Sequence, residues 1–166
     1  GNILDLYGRA TQPYITYLGD DDELIVEKVR AYLEMLESTK AAAVYAPWEL
    51  WNEVNEKSMG QFYRVNDGED LYTLVMKAGM MPEIAIYRRD LMKTELKQSR
   101  NADWNFVTLA HLLHHQQIIL GRTPFYRSTV YHTLDASNPR QQQGTYQALF
   151  QLDRLRAGVE YLAGSQ

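Results

Sequence analysis

The sequence contains no cysteine, which removes disulfide frameworks, thiolate metal sites and cysteine nucleophiles from consideration. It also lacks any apolar run near the roughly 20 residues needed to span a bilayer, so the chain reads as soluble. Positive charge is not in excess: 17 Lys and Arg against 21 Asp and Glu give a formal charge of −4 and a pI near 5.6. Non-specific nucleic-acid binding wants a basic footprint, so direct binding of that kind is not expected. No Gly-x-Ser-x-Gly turn, Walker-type loop or dinucleotide fingerprint is present. There is no internal repeat, low-complexity tract or Gly/Ser linker either. The 166 residues are enough to bury a substantial core, and one helical domain over 1–166 is expected. The chain opens Gly1-Asn2, as a processed or trimmed chain would, which leaves cytoplasmic and exported origins both open.

What is present favours helices. Asn101 to Gly121 carries Trp104, Phe106, Val107, Leu109, Leu112, Leu113 and Ile118 to Leu120 nearly all round a helical wheel. That pattern suits a helix packed on several sides, with Asp103 or Asn101 as cap and Gly121 as stop. From Asp22 to about Lys40, Ile25, Val29, Tyr32, Leu33 and Leu36 fall on one side and Glu23, Glu27, Arg30, Glu34 and Glu37 on the other, an amphipathic helix. Asp20 to Asp22 cap its start. Pro47 suits the first turn of a further helix, Trp48 to about Glu56, in which Trp48 and Trp51 face the core together. Ser58 to Gly68 reads as a loop, and Pro82 opens another helix with Ile84, Tyr87 and Leu91 inward. Thr123-Pro124 starts a short helix from Phe125 to Leu134, although Ser128 to Tyr131 has strand character. Asn138 with Gln141 forms a capping box for a final helix through Leu162. The expected fold is all-α, an irregular bundle of six or seven helices around a central buried helix at about 103–120.

The segment Tyr45-Ala-Pro-Trp-Glu-Leu-Trp-Asn-Glu-Val-Asn55, then Gln61-Phe62-Tyr63, Gly68 and Ala78-Gly79, resembles the core of a bacterial helical domain family of unknown function that includes a DNA-mimic protein. The resemblance covers about residues 44–91. That family continues its Asn with Asn and two glycines, where this chain has Glu56-Lys57-Ser58. The resemblance implies a helical, non-enzymatic binding domain and carries over no catalytic residues.

Three candidate sites emerge from the residues themselves. His111 and His115 lie one helical turn apart, the arrangement by which two imidazoles reach one divalent metal ion. They would serve a metal-assisted enzyme, although the glutamate of metalloprotease helices is missing. The acidic face with Glu23, Glu27 and Glu34 could imitate a row of phosphates, since carboxylates four apart on a helix stand about 6 Å apart. Arg89, Lys93 and Lys97 form a basic ridge at intervals of four that an acidic partner could meet. The expected function is a soluble, non-enzymatic protein-binding or regulatory module with a protein partner, and a homodimer through its many tyrosines is an alternative partner arrangement. A metal-assisted enzyme and an acidic DNA-mimic regulator are the rival readings.

Overall fold

The computed structural model describes residues 6, 8–68, 70, 71, 74, 84–91, 104–115, 117–131 and 163. Among these residues run eight strands and two α-helices, β1 (Tyr14–Thr16), β2 (Glu23–Leu24), α1 (Val26–Thr39), β3 (Ala43–Tyr45), β4 (Trp48–Asn52), β5 (Lys57–Gln61), β6 (Ala85–Arg88), α2 (Trp104–His115), β7 (Ile118–Leu120) and β8 (Tyr126–Tyr131), with helical residues also at 6, 8, 9, 71, 74 and 163. A single 3-10 turn, Arg89–Leu91, follows β6.

The strands form two mixed four-stranded sheets, ordered β1-β6-β3-β7 and β2-β8-β4-β5. In the first, β6 runs antiparallel to both β1 and β3, while β7 lies parallel to β3. In the second, β8 is antiparallel to β2 and parallel to β4, and β4 and β5 make an antiparallel hairpin. The core follows β3: every residue from Ala41 to Ala46 is buried, together with Ile86, Tyr87, Leu112, Phe125 and Tyr126. A strand paired on both edges and covered on both faces reads as an unbroken apolar run, and Ala-Ala-Ala-Val-Tyr-Ala is such a run. Tyr45 and Tyr87 meet edge to face across the β3–β6 pair at 5.9 Å between ring centres. Helix α1 turns Tyr32 and Leu36 into this core; full burial of Leu36 alone contributes about 2 kcal/mol. Lys40 ends the helix in the left-handed conformation, with its N–H donating to Leu36 O.

The all-α bundle is therefore wrong, and so is the bundle of six or seven helices; the fold is α/β. Two predicted helices are present. The amphipathic one is α1, and the segment placed at about 103–120 is helical over Trp104–His115, burying Thr108 to Leu112, but turns into strand β7 at Ile118. The predicted helix from Trp48 is strand β4, the loop from Ser58 is strand β5 as far as Gln61 and loop from Phe62 to Gly68, the helix after Pro82 contains β6, and the helix from Phe125 gives way to β8. Short runs of apolar residues satisfy helical spacing and strand alternation alike, and here sheet pairing decides. Trp48 and Trp51, expected together in the core, separate in a strand: Trp48 is buried and Trp51 only half-buried. The final helix from Asn138 lies outside the described residues, apart from 163.

Candidate functional site

Strands β1, β3 and β7 point the same way, because β1 and β3 are each antiparallel to β6 and β7 is parallel to β3. Their carboxyl ends share one edge of the sheet, the edge outside which open α/β sheets bind ligands. Three connections leave from it: 17–22 after β1, 46–47 after β3, and 121–125 after β7. The Gly121 N–H donates to Tyr45 O at 2.7 Å, which ties the second and third together. Beneath them the Tyr32 phenol donates to Thr123 O at 2.7 Å and accepts from Thr123 N–H at 3.1 Å.

The connection after β1 carries three consecutive carboxylates, Asp20, Asp21 and Asp22. Asp22 is half-buried and held on both oxygens: Tyr126 donates its phenol proton to Oδ2 at 2.5 Å, and the Thr129 N–H donates to Oδ1 at 3.0 Å. The same phenol oxygen accepts the Gly19 N–H at 3.1 Å. Burial, with the Asp22 carboxylate beside it, pushes the Tyr126 phenol far above the ordinary tyrosine range, so it stays a donor. Gly19 lets the turn close this tightly. A Cβ there would come within 2.5 Å of Asp22 Oδ2 and 3.3 Å of Asp21 Oδ1, so two carboxylates converge on the space its missing side chain leaves.

On the opposite face of the second sheet a charged ladder follows the register. Glu23 stands opposite Arg127 and Arg127 opposite Glu49. Arg127 donates from Nε to Glu49 at 2.8 Å and from Nη1 to Glu23 at 2.5 Å, and its guanidinium lies 4.3 Å from the centre of the Trp51 ring. Burial works against an ionised Glu49, but hydrogen bonds from Ser58 and Arg127 outweigh it and hold the carboxyl below its ordinary range. The Arg127 guanidinium is raised, chiefly by its bond to Glu49.

The residues singled out from sequence are scattered over this frame. His111 is buried within α2, whereas the His115 side chain lies outside the described residues. Among the described residues no group of three or more His, Asp or Glu is arranged to hold a metal ion. Glu23 belongs to the Arg127 ladder, and Glu27 and Glu34 are exposed on α1. Arg89 is exposed in the 3-10 turn and donates to Ala10 O at 3.0 Å; Lys93 and Lys97 lie outside the described residues. Among the described residues, Glu23, Glu27, Glu34 and Arg89 are not brought into one site. The structure draws attention instead to Asp20 and Asp21, which sequence reasoning treated as helix caps. The signal available was a Tyr-Ile-Thr-Tyr-Leu run of strand-favouring residues leading directly into Gly-Asp-Asp-Asp.

No protein-family profile matches the chain, and no curated protein resembles it in sequence. Solved structures do share its fold. Residues 1–349 of S. aureus TarS in complex with UDP-GlcNAc match it with a TM-score of 0.53 at 13% identity, over 80% of this chain and 39% of that one. The TarS complex with UDP matches with a TM-score of 0.52 at 12% identity, over 95% of this chain and 47% of that one. The chain therefore spans less than half the length of the TarS chains it resembles. The segment 44–91, which carries the likeness to a helical family, contains β4, β5 and β6 where that likeness implies helices, and of its described residues only Leu71 and Leu74 are α-helical. At such identities the match establishes the fold alone: an α/β arrangement shared with a protein that has been solved with UDP-GlcNAc and with UDP.

Proposed function

We propose that this chain is part of a glycosyltransferase that uses a nucleotide-diphosphate sugar, and that the connection 17–22 holds the donor's diphosphate through a divalent cation. The observation that carries the reading is the position of Asp20 to Asp22 at the carboxyl ends of parallel strands, in a fold shared with a UDP-GlcNAc complex. This departs from the binding module suggested by the sequence and moves the candidate metal site away from His111 and His115.

The donor set suits the ion. Carboxylate oxygens are the ligands that hard divalent cations such as Mg2+ and Mn2+ take, and the turn carries three carboxylates in succession, of which Asp22 is already held on both oxygens by Tyr126 and Thr129. A cage of three protein ligands is not required, since Mg2+ at phosphate sites is held by one or two carboxylates together with the phosphate oxygens and water. Asp20 and Asp21 are the residues assigned to the ion, with Asp22 anchoring the turn. A bound cation would offset the charge that builds on the diphosphate as it leaves the sugar.

Isothermal titration of the full chain with UDP, with Mn2+ and with EDTA, tests the reading. UDP should bind in Mn2+ and lose most of its affinity in EDTA. Asp20→Asn and Asp21→Asn should each weaken Mn2+-dependent binding by about tenfold or more, since even outer-shell changes at metal sites cost about 10–100-fold. Binding that ignores both the metal and these substitutions, or no binding at all, would overturn it.

A further inference from the structure

The Tyr126 hydroxyl does two things at once. It donates to Asp22 Oδ2 at 2.5 Å and accepts from the Gly19 N–H at 3.1 Å. Gly19 and Asp22 flank Asp20 and Asp21, so one phenol oxygen closes both ends of the four-residue turn that contains them. Within the turn itself the Asp22 N–H reaches Gly19 O only at 3.4 Å, a weak internal closure compared with the bonds from outside. The tie is tertiary, because Tyr126 stands 107 and 104 residues away from its two partners. Arg127, the next residue of β8, pairs with Glu23, the residue after Asp22, and the Thr129 N–H holds the other oxygen of Asp22. Strand β8 thus fixes the exit of the turn at three points, Tyr126, Arg127 and Thr129. The Tyr126 ring is fully buried against Phe125, which leaves the hydroxyl little freedom to point elsewhere.

We infer that Tyr126 is a positioning residue for diphosphate binding: its hydroxyl holds the Asp20-Asp21 turn in the shape that presents carboxylates to the cation. This rests on the diphosphate reading proposed above. Preorganised ligands bind more tightly because the ordering cost has been met before the ligand arrives. Removal of the hydroxyl while the ring stays should therefore weaken metal-dependent ligand binding, beside the stability lost with its two hydrogen bonds.

The test uses the full chain as wild type, Tyr126→Phe and Asp22→Asn, with UDP and Mn2+ as probes. Tyr126→Phe should weaken Mn2+-dependent UDP binding about tenfold, the range expected for a lost hydrogen bond to a charged group. Weak UDP binding in EDTA should stay at its wild-type level, and amide exchange within 17–22 should speed up. A purely structural role would instead weaken binding equally with and without metal, and that result overturns the inference. Asp22→Asn replaces one carboxylate oxygen by an amide donor, so the Tyr126 phenol and the Thr129 N–H can no longer both find an acceptor, and it should also lower Mn2+-dependent affinity. It keeps the test decisive should Tyr126→Phe fail to fold, since wild-type affinity in Asp22→Asn overturns the inference. Tight wild-type binding with unchanged binding by Tyr126→Phe would sink the role of Tyr126 alone. Absence of Mn2+-dependent binding in the wild type would sink the diphosphate reading and this inference with it.

Discussion

Gly121→Ala should cost the fold about 3–5 kcal/mol, and the reason lies in one tyrosine. Gly121 leaves β7 at the carboxyl edge, and its backbone lies directly against the Tyr32 phenol; an added Cβ would overlap the hydroxyl and come within 2.6 Å of Cζ and 2.7 Å of Cε1. The phenol has no easy way to retreat. Its hydroxyl is bonded to both the N–H and the carbonyl of Thr123, and its ring meets Phe125 edge to face at 5.9 Å. Nor can the backbone give way freely, since the Gly121 N–H is bonded to Tyr45 O at 2.7 Å. Overpacking a closed site costs about 1–3 kcal/mol, and displacing Tyr32 forfeits two hydrogen bonds at about 1 kcal/mol each, which together give the stated range. Against a total stability of about 5–15 kcal/mol this is a large loss. Urea denaturation should show a lower midpoint with an unchanged slope. In a Tyr32→Phe background the nearest atom and the tether are both gone, so the further cost of Gly121→Ala should fall to about 1–3 kcal/mol. A Gly121→Ala protein within about 0.5 kcal/mol of wild type, the range of an ordinary surface change, would refute the packing argument; so would equal costs in the two backgrounds.

Two further predictions concern the ladder on the second sheet. Arg127→Met should destabilise by about 2–3 kcal/mol, because it strands the largely buried Glu49 carboxylate without its cation, whereas Glu23→Gln, at the exposed end, should cost less than about 1 kcal/mol; equal losses in denaturant titrations of the two variants would contradict the ladder. Glu49 also predicts a pH dependence. Its folded pKa lies below the ordinary 4.5, so the unfolded chain takes up the proton first, and the stabilisation present above pH 4.5 fades as the pH falls through the folded value. Glu49→Gln should accordingly flatten the acid limb of the stability profile, narrowing its gap to wild type below pH 4.5; parallel profiles would be the contrary result.

Helices were legible in the sequence where their pattern was long. Fourteen residues of α1 alternate apolar and charged faces for four turns, and nothing but a helix satisfies that spacing. The strands were not legible for a complementary reason. β1, β3 and β7 have three residues each, too few for a period to declare itself, and β3 lies covered on both faces, so no polar alternation marks it. Pro47 and Pro82 resemble helix starts but also stand before strands. The hairpin of β4 and β5 was further disguised by a register shift between Leu50 and Trp51, opposite Gly60 at a φ of +104°, which breaks the two-residue alternation at a bulge. The aspartates were visible from the start, but their meaning was not. Asp20 to Asp22 look like helix caps in the local sequence, but strand β2 follows them and α1 starts only at Val26, with Ile25 at its N-cap and no side-chain cap. Only the strand before them, and Tyr126 more than a hundred residues later, place them at the carboxyl edge of the first sheet.

A crystal structure of the full chain grown with UDP and Mn2+ tests the account most directly, because the anomalous signal of the ion reports its position independently of the fold. The ion should lie between the diphosphate and the Asp20 or Asp21 carboxylate, at the carboxyl ends of β1, β3 and β7. An ion bound at His111 and His115, or UDP seated away from that edge, would contradict it.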